Sequence, residues 1–224
     1  MREPQPHVRI QHNLSAQVER RLLNWLCARL PAWVTPDMLT ATGVFGAAVI
    51  GAGYVLSSWG RDWLFLSIAG YVINWFGDSL DGSVARFRKI ERPRYGYFLD
   101  HSVDGIAVMM MTVGMGLSPY LRVDIMLLAL SGYLLLAIHA FLSAKVVGEL
   151  TLSHVGAGPT ELRFLLITLT LAMWALGPRF ETRWTMSGFD QFVGVIGLAL
   201  VALYVVQTFN VARRLSREDP PTRA

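Results

Sequence analysis

Residues 62–118 read DWLFLSIAGYVINWFGDSLDGSVARFRKIERPRYGYFLDHSVDGIAVMMMTVGMGLS: two apolar runs, 62–85 and 96–118, with four aspartates near the basic connection that joins them. About 20 mostly apolar residues are needed to cross the roughly 30 Å of hydrocarbon in a bilayer, and both runs are of that order. Four further runs lie at 38–57, 124–147, 160–177 and 189–210. The breaks between runs carry turn chemistry: Ser57 to Gly60, Ser118-Pro119, Gly156 to Pro159, and Gly177-Pro178. The pattern predicts an all-α polytopic membrane protein with six transmembrane helices, the 160–177 run being the shortest.

Composition agrees. Of 224 residues, 53% are hydrophobic and 16% charged, with a mean hydropathy of +0.41. Soluble domains carry roughly 25% charged residues, so a disordered chain, a coiled coil and an ordinary water-soluble enzyme are excluded. The single cysteine, Cys27, excludes an internal disulfide framework, a cysteine-based zinc site and an iron–sulfur cluster. Residues 1–21 are polar and carry Arg2, Arg9, Arg20 and Arg21, so no cleavable leader is expected.

With the N-terminus inside, all but four of the 20 lysines and arginines fall on one side; Arg61, Arg122, Arg179 and Arg183 fall on the other. The positive side faces the cytoplasm, which puts both termini there, in the cell (inner) membrane. The net charge of +4 then reflects topology and contact with anionic lipid rather than nucleic acid.

The chain divides into a tail and amphipathic helix (1–34), the six-helix domain (35–212) and a second tail (213–224). Leu14, Val18, Leu22, Trp25, Leu26 and Leu30 recur at three- and four-residue spacing. Such a helix either lies in the headgroup plane, with Trp25 and Trp33 at interfacial depth, or packs on the ends of the spans. Pro31 and Pro36 close it.

The acidic residues carry the chemistry. Asp78 and Asp81 are spaced i, i+3, and Asp100 and Asp104 i, i+4, so each pair shares one helix face. The connection Phe87–Gly96 makes the two helices antiparallel neighbours and brings all four carboxylates to one depth. Unpaired, they would repel one another. Hard oxygen ligands at this density suit two Mg²⁺ or Mn²⁺ ions, about 4 Å apart as in a phosphoryl-transfer clamp. Gly82 and Ala85 leave room for a bulky group against the helix, and the planar fork of Arg86 suits a diphosphate. By contrast Gly43, Gly46, Gly51 and Gly53 read as helix-packing positions, Met109 to Met111 as packing or lipid-facing surface, and His139 as an interhelical hydrogen-bonder. His154 is either solvated or substrate-facing.

Taken together, the residues spell Asp78-x2-Asp81-Gly82-x2-Ala85-Arg86-x9-Gly96-x3-Asp100-x3-Asp104. This resembles the signature of the CDP-alcohol phosphotransferase family. Thr35-Pro36-Asp37, followed by Met38, resembles the element that precedes the family's first span. The resemblance implies six transmembrane helices, an interfacial N-terminal helix, a homodimer, and transfer of a phospho-alcohol from a CDP-linked donor to an alcohol acceptor with loss of CMP. It implies that Asp78 and Asp100 bridge two ions, with Asp81 completing one and Asp104 the other. Asp104 would be the base, and Gly82, Ala85, Arg86 and Gly96, with Thr35, Pro36, Asp37 and Met38, would surround the CDP moiety. Asp100-His101, with Gly158-Pro159-Thr160-Glu161, is similar to the amino-alcohol branch, in which His101 is a second candidate base. The donor and acceptor stay open: CDP-diacylglycerol with a polar alcohol, or a CDP-amino-alcohol with a diacylglycerol- or ceramide-like lipid. Two other classes also use acids in membranes, an aspartate-rich prenyltransferase and a cation transporter.

Overall fold

The computed structural model describes residues 14–147, 159–178 and 186–219. The tail at 1–13, His154 with most of the turn at 156–159, and Arg179 and Arg183 lie outside the described residues.

The described residues form seven α-helices: α1 (Leu14–Cys27), α2 (Pro36–Leu56), α3 (Leu64–Arg88), α4 (Pro93–Gly116), α5 (Val123–Val146), α6 (Pro159–Leu176) and α7 (Gly188–Glu218). A single 3₁₀ turn, Arg61–Trp63, precedes α3, and no strand occurs among the described residues. All six apolar runs are helical. Their ends follow local chemistry: Thr35 caps α2 by accepting from the Met38 amide, with Pro36 at the first helical position. Ser187 and Asp190 form a capping box at the start of α7. Among the described residues three helices, α2, α5 and α7, are long and apolar enough to cross a membrane. α3 and α4 are as long, but the aspartates and arginines that build the site interrupt them.

α2 is the hub. It packs most extensively on α3, and on its other side against α4. The first seam is glycine-lined: a Cβ on Gly46 or Gly77 would collide with the backbone of Asn74 or Gly43. Backbones this close trade hydrogen bonds. Asn74 Nδ2 donates to Gly43 O (2.9 Å) and Ser67 Oγ to Ile50 O (2.9 Å). The second seam brings Gly51 against Gly114 and the Met110 carbonyl. Such small-residue faces let helices associate where lipid supplies no hydrophobic drive. α5 and α7 form the other major pair, where His139 meets Ser143 through Nε2 (3.2 Å) and Thr208 through Nδ1 (3.2 Å). A core of Ile50, Tyr54, Leu64, Tyr71, Tyr120, Leu121 and Met173 ties α6 in, through a 2.5 Å hydrogen bond between the Tyr54 hydroxyl and Thr170 Oγ1.

The amphipathic segment is shorter than its sequence pattern suggests. α1 ends at Cys27, and residues 28–35 turn back toward α2, as Pro31 requires. Part of its apolar surface is packed: Leu23, Leu26 and Cys27 close over Leu39, Phe76, Leu80 and Val84. Leu22, Trp25 and Trp33 stay exposed. Two polar clamps fix it. Glu19 accepts from Trp75 Nε1 and Thr160 Oγ1, both at 3.0 Å, and the Arg88 guanidinium donates to the carbonyls of Leu30, Pro31, Ala32 and Val34.

Candidate active site

α3 stops at Lys89, whose φ of 56° places it in the left-handed region, and Pro93 starts α4. The tight connection predicts that α3 and α4 pack side by side. The structure corrects this: neither packs along the other, and each lies against α2. The physical reason is the two glycine faces of α2, which draw one helix each. A cleft is left between them, and Asp78, Asp81, Asp100 and Asp104 line it together with Thr40, Gly43 and Asn74.

The four carboxylates are not equivalent. Asp81 accepts from Thr40 Oγ1 (2.7 Å) and from the Gly82 amide (2.5 Å), which orients it from α2. Asp78 is ion-paired with Arg163 of α6, whose Nε also donates to Asn74 Oδ1 (3.3 Å). Asp100 and Asp104 meet across His101, whose Nδ1 stands 3.4 Å from one and 3.9 Å from the other. One ligand atom from each of these three residues falls within 4.8 Å of the others. His101 is held edge-on against Tyr97 (4.3 Å between centroids) and beside Phe141 of α5. It therefore flanks the carboxylates rather than lining the cleft.

The remaining expected residues sit at the same end, outside the cleft wall. Arg86 folds back over Gly82, where a Cβ would lie 3.2 Å from its Nη1, and donates to Ser83 Oγ (3.3 Å). Ala85 is half-buried beside it, and Gly96 is exposed with open space around it. Thr35 and Met38 are exposed, and Pro36 begins α2. Asp37 pairs with Arg92 (2.5 Å). Three participants escape a reading of the motif alone: Thr40, Asn74 and Arg163. Asn74 lies one turn before Asp78, so a polar residue on the acids' own face in an apolar run was the available signal. Arg163 had only the signal of a charge early in an apolar helix.

A cleft with four carboxylates from two helices fits hard divalent cations in number and type of ligand. It contains no thiolate that would favour zinc.

A family model described as CDP-alcohol phosphatidyltransferase matches residues 33–211, a stretch that includes every residue of the cleft. No curated protein matches the chain. The match gives the prenyltransferase and transporter readings no support. From a cleft of four aspartates held by an all-helical, apolar fold, and from the length of that match, the chain belongs to the CDP-alcohol phosphatidyltransferase family.

Proposed function

We propose that this integral membrane protein transfers a phospho-alcohol group from a CDP-linked donor to an acceptor hydroxyl and releases CMP. The observation that carries the reading is the convergence of Asp78, Asp81, Asp100 and Asp104 on one cleft. These four would hold two divalent cations, Mg²⁺ or Mn²⁺, and bound ions would supply charge neutralisation of the diphosphate in the transition state.

The chain's own residues do the rest. Thr40 and the Gly82 amide fix the Asp81 carboxylate. Gly82, Ala85, Arg86 and Gly96, with residues 35–38, shape the place of the CDP moiety, Arg86 swinging off Gly82 to offer its fork to the diphosphate. The acceptor oxygen attacks the phosphorus distal to cytidine, and the bond from that phosphorus to the bridging oxygen breaks. CMP leaves with the bridging oxygen. The acceptor's proton passes to Asp104, or to His101 beside it, which is oriented by Tyr97.

The six helices α2–α7 are proposed as six spans of a domain covering 35–212, with α1 at headgroup depth. Both termini and the cleft face the cytoplasm, and two copies form a homodimer. A substrate panel tests the activity: CDP-diacylglycerol with glycerol phosphate, inositol phosphate or serine, against CDP-choline or CDP-ethanolamine with diacylglycerol or ceramide. CMP release dependent on both donor and acceptor is the expected result, and the productive pair decides the direction of transfer. Ion flux with no CMP from any pair would refute the reading.

A further inference from the structure

Arg163 is out of place among the charges of this chain. It starts on α6, yet its guanidinium reaches α3, pairs with Asp78 through Nη2 and donates from Nε to Asn74 Oδ1 at 3.3 Å. Asn74 is in turn pinned by its Nδ2 to the Gly43 carbonyl of α2. The guanidinium is thus clamped at two points, and its side chain is only 16% exposed. Of the arginine and lysine ion pairs among the described residues, this one reaches a carboxylate of the cleft, whereas those of Arg92, Arg122 and Arg214 lie elsewhere.

We infer that Arg163 is a built-in counter-ion that competes with the divalent cation for Asp78. The inference rests on the proposed binding of cations by the four aspartates. A carboxylate oxygen engaged by a guanidinium cannot at the same time give its full charge to a metal ion, and a fixed cation beside the cleft repels a second one. Without ions, Arg163 contributes charge compensation to Asp78 in a half-buried cleft. When an ion arrives, the guanidinium yields Asp78, so each binding event also breaks one ion pair. Arg163 acts through Asp78, as a positioning residue that sets how tightly the ions are held and keeps the empty cleft folded.

The test is Mn²⁺ binding to the purified full-length protein in detergent, followed by the thermal midpoint with and without Mn²⁺ and by equilibrium titration. Arg163→Gln should lower the midpoint of the metal-free protein and enlarge the rise produced by Mn²⁺. Its Mn²⁺ affinity should be about tenfold tighter, one charge-assisted hydrogen bond's worth. Arg163→Lys keeps the charge but loses the fork to Asn74; it should show the same changes at about threefold, and it serves if the Gln variant does not fold. A merely structural arginine would lower both midpoints equally and leave the affinity unchanged, which would overturn the inference. If the wild-type protein binds no Mn²⁺ at all, the cation reading of the cleft fails instead.

Discussion

Two acidic regions lie at opposite ends of the helices and have opposite characters. At one end Asp190 is fully buried, and its oxygens accept from the Arg122 amide (2.8 Å), the Ser187 amide (2.9 Å) and the Ser187 hydroxyl (2.9 Å). At the other, Asp100 and Asp104 crowd together around His101, in company with Asp78 and Asp81. A carboxylate saturated by nearby donors is part of the scaffold. Carboxylates that converge on one another store repulsion, which a bound cation relieves, and under the proposed function they serve a ligand rather than stability. The contrast makes separable demands on the two ends.

The largest effect separates them by activity. Asp104→Asn or Asp100→Asn should reduce CMP release by about a thousandfold or more, in line with loss of a charge-stabilising group, while the thermal midpoint stays level or rises as repulsion is relieved. A sharp fall in stability would erase the distinction. Asp190→Ala should do the reverse: about 3 kcal/mol of stability lost through orphaned buried donors, with turnover per folded molecule unchanged. Thermal unfolding and CMP release on the same samples check both.

Arg88→Ala is expected to cost about 1–2 kcal/mol by leaving the carbonyls of residues 30–34 without their donor. Limited proteolysis should then cut between α1 and α2 sooner than in the wild type. The smallest effect concerns Cys27. Burial pushes its thiol above the usual range, so less thiolate is present near neutral pH. Alkylation should be slow in the folded protein and quicken as pH rises; fast labelling at pH 7 would mean that α1 is not packed on α3.

How much of this was legible in the sequence depends on how far apart the partners are. The helices were plain in the apolar runs, and the pairing of Asp78 with Asp81 and of Asp100 with Asp104 followed from the period of one helix. Contacts across long separations were not. Arg163 reaching Asp78 and Glu19 reaching Thr160 need α6 laid on α3, which no local pattern states. The separation of α3 from α4 was hidden too, because it depends on Gly46 and Gly51 presenting two different faces of α2 to two partners. The extent of α7 was underestimated because Arg213, Arg214 and Arg217 end the apolar run but not the helix, arginine being a good helix former. The Arg88 clamp on the carbonyls of Leu30, Pro31, Ala32 and Val34 likewise joins segments far apart in the chain.

Crystals of the full-length protein grown with Mn²⁺ and CDP, measured at an energy where manganese scatters anomalously, bear most directly on the cleft. Two anomalous peaks among the carboxylates of residues 78, 81, 100 and 104, beside the diphosphate, are expected. Peaks elsewhere, or none with the nucleotide bound, would contradict a cation-holding cleft.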